Sequence, residues 1–242
     1  MPSIRWVNLV IDVPADFLPE STRFWSTVAR STPAVTHEGP HDPVTLVPRS
    51  GSPWLRLEGS DADTPTAHLE LVTADPGAAS AEARRLGARE VGRDRRGRYM
   101  LSPAGVRFTL TADLPEGGGV QDRDLDVLID QACLDVPSAA FDDEVAFWNA
   151  FTGWPVDPSR YSDFRALSRP EWIPVRLTFQ RVGNPEAGIH PDVACRRSMI
   201  TQREHEQLGA VFDERRPRWA VMVAPSGLRY CVTDRDPATG LF

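Results

Sequence analysis

Two histidines, His68 and His190, stand 122 positions apart in matching surroundings, each opening an apolar stretch that reads as a β-strand. An imidazole so placed can ligate a metal, move a proton or simply satisfy a strand end. Cys231 is the other group with chemistry to offer. As a thiolate nucleophile it needs a base such as His190 within hydrogen-bond reach; between Tyr230 and Val232 it also reads as a small buried hydrophobe. Cys133 and Cys195 lack comparable placement and are assigned to packing. Three scattered cysteines without a Cys-x-x-Cys indicate neither a disulfide framework nor structural zinc.

Other candidates have plainer readings. The run Arg93-Asp94-Arg95-Arg96-Gly97-Arg98 and its counterpart Arg215-Arg216-Pro217-Arg218 fall at hairpins and read as solvated turns in an acidic chain. His37 and His41 lie in a polar loop with no helix to align them. Trp25 and Trp148 sit on helices and read as core, whereas Trp54, Trp154 and Trp172 fall in loop-rich stretches where they could line a ligand cleft. No Walker loop, Gly-x-Ser-x-Gly elbow or Gly-x-Gly-x-x-Gly fingerprint occurs, so phosphoryl transfer, serine-hydrolase chemistry and dinucleotide binding are without support.

The elements that must position these residues come twice. Pro103-Ala104-Gly105-Val106-Arg107-Phe108-Thr109 returns as Pro225-Ser226-Gly227-Leu228-Arg229-Tyr230-Cys231, so Cys231 stands where the first copy has Thr109. Asp12-Val13-Pro14 returns at Asp135, Phe24-Trp25 at Phe147-Trp148, Leu86-Gly87-Ala88 at Leu208 and Met100 at Met222, all at offsets of 122 or 123. Ordered landmarks at a constant offset make this a tandem duplication. The expected boundaries are a first domain over 1–112, a Gly- and Pro-rich linker over 113–124, a second domain over 125–235 and a tail over 236–242.

Periodicity predicts in each copy a strand, a helix and about three strands, then the same order again. In the first copy the strands fall near 6–13, 44–47, 54–58, 68–72, 88–91, 99–101 and 106–111, and the helices near 19–30 and 76–86. In the second copy strands fall near 126–135, 164–167, 175–181, 190–195, 211–213, 219–223 and 228–233, with helices near 141–151 and 201–208. Four βαβββ units with short turns between successive strands imply an α+β fold of mainly antiparallel sheet with helices on one face, not a doubly wound parallel sheet.

With 242 residues, 41% apolar and 25% charged, the chain can bury a proper core. A net charge of −7 argues against a footprint for nucleic acid or an anionic membrane. No apolar run approaches a membrane span and no signal peptide is evident, which predicts a cytoplasmic protein.

The pieces Ala146-Phe147-Trp148, Leu177-Thr178-Phe179-Gln180-Arg181-Val182, Arg218-Trp219 and Tyr230-Cys231 resemble the vicinal oxygen chelate superfamily of glyoxalases, bleomycin-resistance proteins and extradiol dioxygenases, in particular tandem glyoxalase-like proteins of the actinobacterial type. The resemblance implies two glyoxalase-like domains, each a curled mixed or antiparallel sheet of two βαβββ units. It also implies where enzymes of the superfamily would hold a divalent metal: Asn8 and Gln131 on first strands, His68 and His190 on the next units' first strands, and Thr109 and Cys231 where a carboxylate is expected. A fourth position offers Glu58 and Gln180.

Neither set satisfies the carboxylate preference of a hard dication or the two-histidine, one-carboxylate set of Fe(II). The expectation is therefore no cofactor. Asn8, His68, Gln131, His190 and Cys231 would instead line a cavity for a small, partly hydrophobic ligand, in a sequestering or resistance protein that is a monomer or homodimer. The alternative is a metal-dependent lyase, isomerase or dioxygenase in which crossed domains bring Asn8 and Glu58 to His190 and Cys231 around a metal such as Zn²⁺. A module whose cavities have filled in is the third class.

Overall fold

The computed structural model describes residues 2–35, 42–115, 125–158 and 161–242. His37, His41 and most of the Gly-rich linker lie outside the described residues.

Four βαβββ modules follow one another. The first is β1 (Ile4–Pro14), α1 (Leu18–Val28), β2 (Ser31–Val35), β3 (Val44–Pro48) and β4 (Leu55–Ser60). The second is β5 (Thr66–Thr73), α2 (Pro76–Arg85), β6 (Arg89–Arg93), β7 (Arg98–Leu101) and β8 (Arg107–Thr111). The third is β9 (Val127–Pro137), α3 (Phe141–Thr152), β10 (Val156–Asp157), β11 (Phe164–Leu167) and β12 (Arg176–Val182). The fourth is β13 (Gly188–Cys195), α4 (Ser198–Gln207), β14 (Val211–Arg216), β15 (Trp219–Val223) and β16 (Arg229–Thr233).

Local chemistry sets these boundaries. Asp75 caps α2 by accepting from the Ala78 amide at 2.9 Å, with Pro76 at the helix start. Gly153 ends α3 in the left-handed region at φ 74°. The Pro-x-Gly turns before β8 and β16 need the same conformation, at φ 96° for Gly105 and 94° for Gly227.

Two strands escape the sequence pattern, β2 and β10. Both lie at a sheet edge, where a proline such as Pro33 within β2 is tolerated.

Each half builds one eight-stranded mixed sheet, in the order β2-β3-β4-β1-β5-β8-β7-β6 and β10-β11-β12-β9-β13-β16-β15-β14. The hairpins pair antiparallel as expected, but β5 pairs with β8, and β13 with β16, in parallel. A helical crossover sends the next strand off in the direction of the first, and two hairpin reversals return the last strand to that direction.

The chain also divides into two compact units that cut across the halves. Unit 1 comprises Met1–Leu9, Ala67–Pro115 and Ala132–Ile189, and unit 2 comprises Val10–Thr66, Glu116–Gln131 and His190–Phe242. Within unit 1, Phe147, Trp148 and Phe151 of α3 pack on Phe108 of β8, with ring centroids 5.2 to 6.1 Å apart. Within unit 2, Phe24 and Trp25 of α1 pack on Tyr230 of β16 at 5.9 and 5.2 Å. Helices of one half thus bury their aromatic faces on the last strand of the other half, worth about 1.5–3 kcal/mol per buried side chain. The repeat defines the modules but carries no mark of this exchange.

Candidate functional site

Alternation along β13 places His190 and Asp192 on one face, since side chains two apart on a strand point the same way. In the parallel ladder Asp192 stands opposite Cys231 of β16. These rules bring three different donors together within unit 2. His190 Nε2 lies 3.5 Å from Cys231 Sγ and 3.4 Å from Asp192 Oδ1. The ligand atoms of all three lie within 4.8 Å of one another, and all three residues are buried.

Both the thiol and the carboxylate meet the same ring nitrogen. A Cys-His-Asp relay needs the carboxylate on the opposite nitrogen from the thiol, so this is not triad geometry. The 3.4 Å separation is also longer than the about 2.7–2.9 Å of a charge-assisted N–H···O bond. In a tetrahedral zinc site, bond lengths of about 2.3 Å to sulfur and about 2.0–2.1 Å to nitrogen or oxygen give edges of about 3.6 Å between N and S and about 3.4 Å between N and O. The observed separations match those edges, so the donor set and its spacing fit a zinc-class ion.

From the sequence, the carboxylate expected near His190 and Cys231 is Glu58, brought there by crossed domains. Among the described residues of unit 2, the group of three within 4.8 Å that contains His190 and Cys231 is completed not by Glu58 but by Asp192. Its signal was His190-Pro191-Asp192, a His-x-Asp on a strand, mirrored by His68-Leu69-Glu70. Gln131 is buried on β9, the strand beside β13. In unit 1, Gln180 Oε1 lies 3.9 Å from Cys133 Sγ.

The first half reproduces the layout with different chemistry. His68 and Thr109 are buried, and Glu70 pairs with Thr109 across the β5–β8 ladder. Asn8 donates from Nδ2 to Glu70 Oε1 at 2.6 Å, engaging the carboxylate that corresponds to Asp192. Among the described residues no His/Cys/Asp/Glu group of three forms around His68.

Of the loop tryptophans, Trp54 borders a small cleft with Ala29, Leu46, Leu55, Leu128 and Ile129, Trp154 is buried, and Trp172 is 58% exposed. The Arg93–Arg98 stretch is a hairpin turn closed by Asp94, which accepts from the Arg96 amide at 2.8 Å.

No functionally curated protein matches the chain. Among solved structures, the Mn(II)-bound glyoxalase from Novosphingobium aromaticivorans aligns with a TM-score of 0.68 at 14% identity, over 96% of this chain and 83% of that one. The 2,3-dioxygenase LapB from Pseudomonas sp. KL28 aligns at 0.65 and 14% identity, covering 96% and 93%. A variant of homoprotocatechuate 2,3-dioxygenase from B. fuscum aligns at 0.61 and 15%, covering 97% and 72%. At such identities the likeness speaks for the fold alone. The glyoxalase-like domain matches twice, over residues 8–111 and 131–233, each match spanning one eight-stranded sheet, and with both halves so covered the chain belongs to the glyoxalase-like family of the vicinal oxygen chelate superfamily.

Proposed function

We propose that the second domain binds a small, partly hydrophobic molecule at a centre that holds a zinc-class cation through His190, Asp192 and Cys231. The observation that carries this reading is the convergence of Cys231 Sγ and Asp192 Oδ1 on His190 Nε2 at 3.5 and 3.4 Å. The expectation of no cofactor rested on the want of a carboxylate, and Asp192 removes that premise.

A nitrogen, oxygen and sulfur set suits zinc better than Mg²⁺ or Mn²⁺, and with one histidine it departs from the Fe(II) facial triad. His190, Asp192 and Cys231 would hold the ion, which would supply Lewis-acid polarisation to a bound ligand oxygen. The protein's own part is to hold His190, Asp192 and Cys231 on adjacent parallel strands in a buried setting, with Gln131 buried on the neighbouring strand. The first domain, with its Asn8–Glu70 bond, supports binding without a metal, the mode proposed for sequestration.

Metal analysis of purified, untagged protein tests the proposal. Near-stoichiometric zinc, nickel or cobalt that is lost in His190→Ala and retained in His68→Ala is the expected result. Less than a tenth of an equivalent after reconstitution and desalting overturns the metal centre and returns the second domain to the metal-free class.

A further inference from the structure

The two compact units place the same helix and turn in the same way, yet differ at a buried polar position on the helix. In unit 1, Glu144 of α3 is fully buried and meets three donors: its Oε1 accepts from Trp148 Nε1 at 2.8 Å, its Oε2 from the Ala104 amide at 2.9 Å, and the carboxylate also accepts from the Ser102 hydroxyl. The carboxylate thereby ties the helix to the turn that leads into β8.

In unit 2 the duplicated position of Glu144 is Ser21, at the offset of 123 that also relates Trp148 to Trp25, and the counterpart of Ala104 is Ser226. The surroundings superpose closely. Trp148 meets Phe108 at 5.2 Å and 62°, and Trp25 meets Tyr230 at 5.2 Å and 70°. Phe147 and Trp148 lie 5.3 Å apart at 80°, and Phe24 and Trp25 lie 5.1 Å apart at 84°. The turns agree as well: a Cβ at Gly87 would lie 3.5 Å from Pro103 Cγ, and one at Gly209 would lie 3.4 Å from Pro225 Cγ. The Trp25 indole thus keeps the same ring partners as Trp148, but Ser21 carries a hydroxyl where Glu144 carries a carboxymethyl group.

Three polar atoms at these matching positions are left stranded. Ser21 Oγ, Trp25 Nε1 and Ser226 Oγ are all buried and have no hydrogen-bond partner within the protein. A buried indole N–H is costly to leave unpaired, and a polar hole with two to four partners is what an internal water requires. We infer that an ordered water occupies the position of the missing carboxylate in unit 2, accepting from Trp25 Nε1 and bonding the Ser21 and Ser226 hydroxyls. It joins α1 to the Pro225-Ser226-Gly227 turn that delivers Cys231, as Glu144 joins α3 to the turn before Thr109.

Two substitutions of equal size separate a wet hole from a dry one in the full-length chain. Ser21→Gln offers an acceptor in place of the water, whereas Ser21→Leu fills the space with hydrocarbon and strands the indole. A wet hole predicts that Ser21→Gln melts higher than Ser21→Leu by about 2–4 °C or more, and that a high-resolution crystal structure of the unmodified chain shows water within hydrogen-bond distance of Trp25 Nε1. Ser21→Leu melting higher, or no density at that place, overturns the inference. The density alone decides if neither variant folds.

Discussion

Asp192 and Cys231 stand in register on neighbouring parallel strands, and the same two places in the first half hold Glu70 and Thr109. The duplication has kept a carboxylate beside each histidine and exchanged a thiol for a hydroxyl, a group with little affinity for a soft cation. Asp192→Ala is expected to weaken zinc binding by more than the about 10–100-fold that loss of an outer-shell partner costs, while Glu70→Ala leaves it unchanged. Competition with a chromophoric chelator reads both affinities. Equal effects of the two substitutions would remove Asp192 from the ligand set.

The Asn8–Glu70 bond is short and asymmetric: Nδ2 is used at 2.6 Å, while Asn8 Oδ1 is buried without a partner. Asn8→Asp turns the donor into a second carboxylate against Glu70. Two carboxylates that close repel each other when both are charged, so the penalty is larger at neutral pH than in acid. We expect a loss of about 1–3 kcal/mol at neutral pH that shrinks at about pH 4, read from urea midpoints. An equal loss at both pH values would mean that the contact is not made.

The element order was legible in the sequence because apolar period, proline and glycine all repeat at a fixed offset, as Pro103-Ala104-Gly105 and Pro225-Ser226-Gly227 illustrate. The site was legible only in part. His190 and Cys231 stood out by their duplicated places, and the condition that they lie within reach is met at 3.5 Å. Asp192 lies on a different strand from the carboxylate that the family resemblance implies, and the two-residue strand period puts it on the face of His190. The pairing of α1 with β16 and α3 with β8 could not be read, since either half's aromatic face would satisfy either helix by burial alone.

Arg235, the last residue of the expected second domain, is 4% exposed and makes two 2.8 Å bonds to Asp130 of β9, itself 4% exposed. Removing one partner of such a pair leaves a buried, uncompensated charge. Arg235→Leu is expected to cost about 3–5 kcal/mol in denaturant unfolding, and Asp130→Leu combined with Arg235→Leu to cost less than the single change. A single-variant loss below about 1 kcal/mol would place the pair with ordinary surface ion pairs.

His205 of α4 supplies a pH dependence of known sign. Its Nδ1 lies 3.0 Å from the Tyr230 hydroxyl in the aromatic cluster of unit 2, and burial pushes its pKa down from the ordinary 6.5 to about 4. The folded chain keeps this imidazole neutral, whereas the unfolded chain takes up a proton once pH drops below about 6.5. Stability is therefore full above about pH 6.5, falls as pH is lowered toward 4, and loses nothing further from this group below that. The two values differ by enough to make the loss about 3 kcal/mol. His205→Phe keeps an aromatic ring against Tyr230 and cannot titrate, so its melting temperature should fall less steeply than that of the unmodified chain between pH 6.5 and 4. Parallel curves would show that the acid sensitivity arises elsewhere and that His205 charges without opening the cluster.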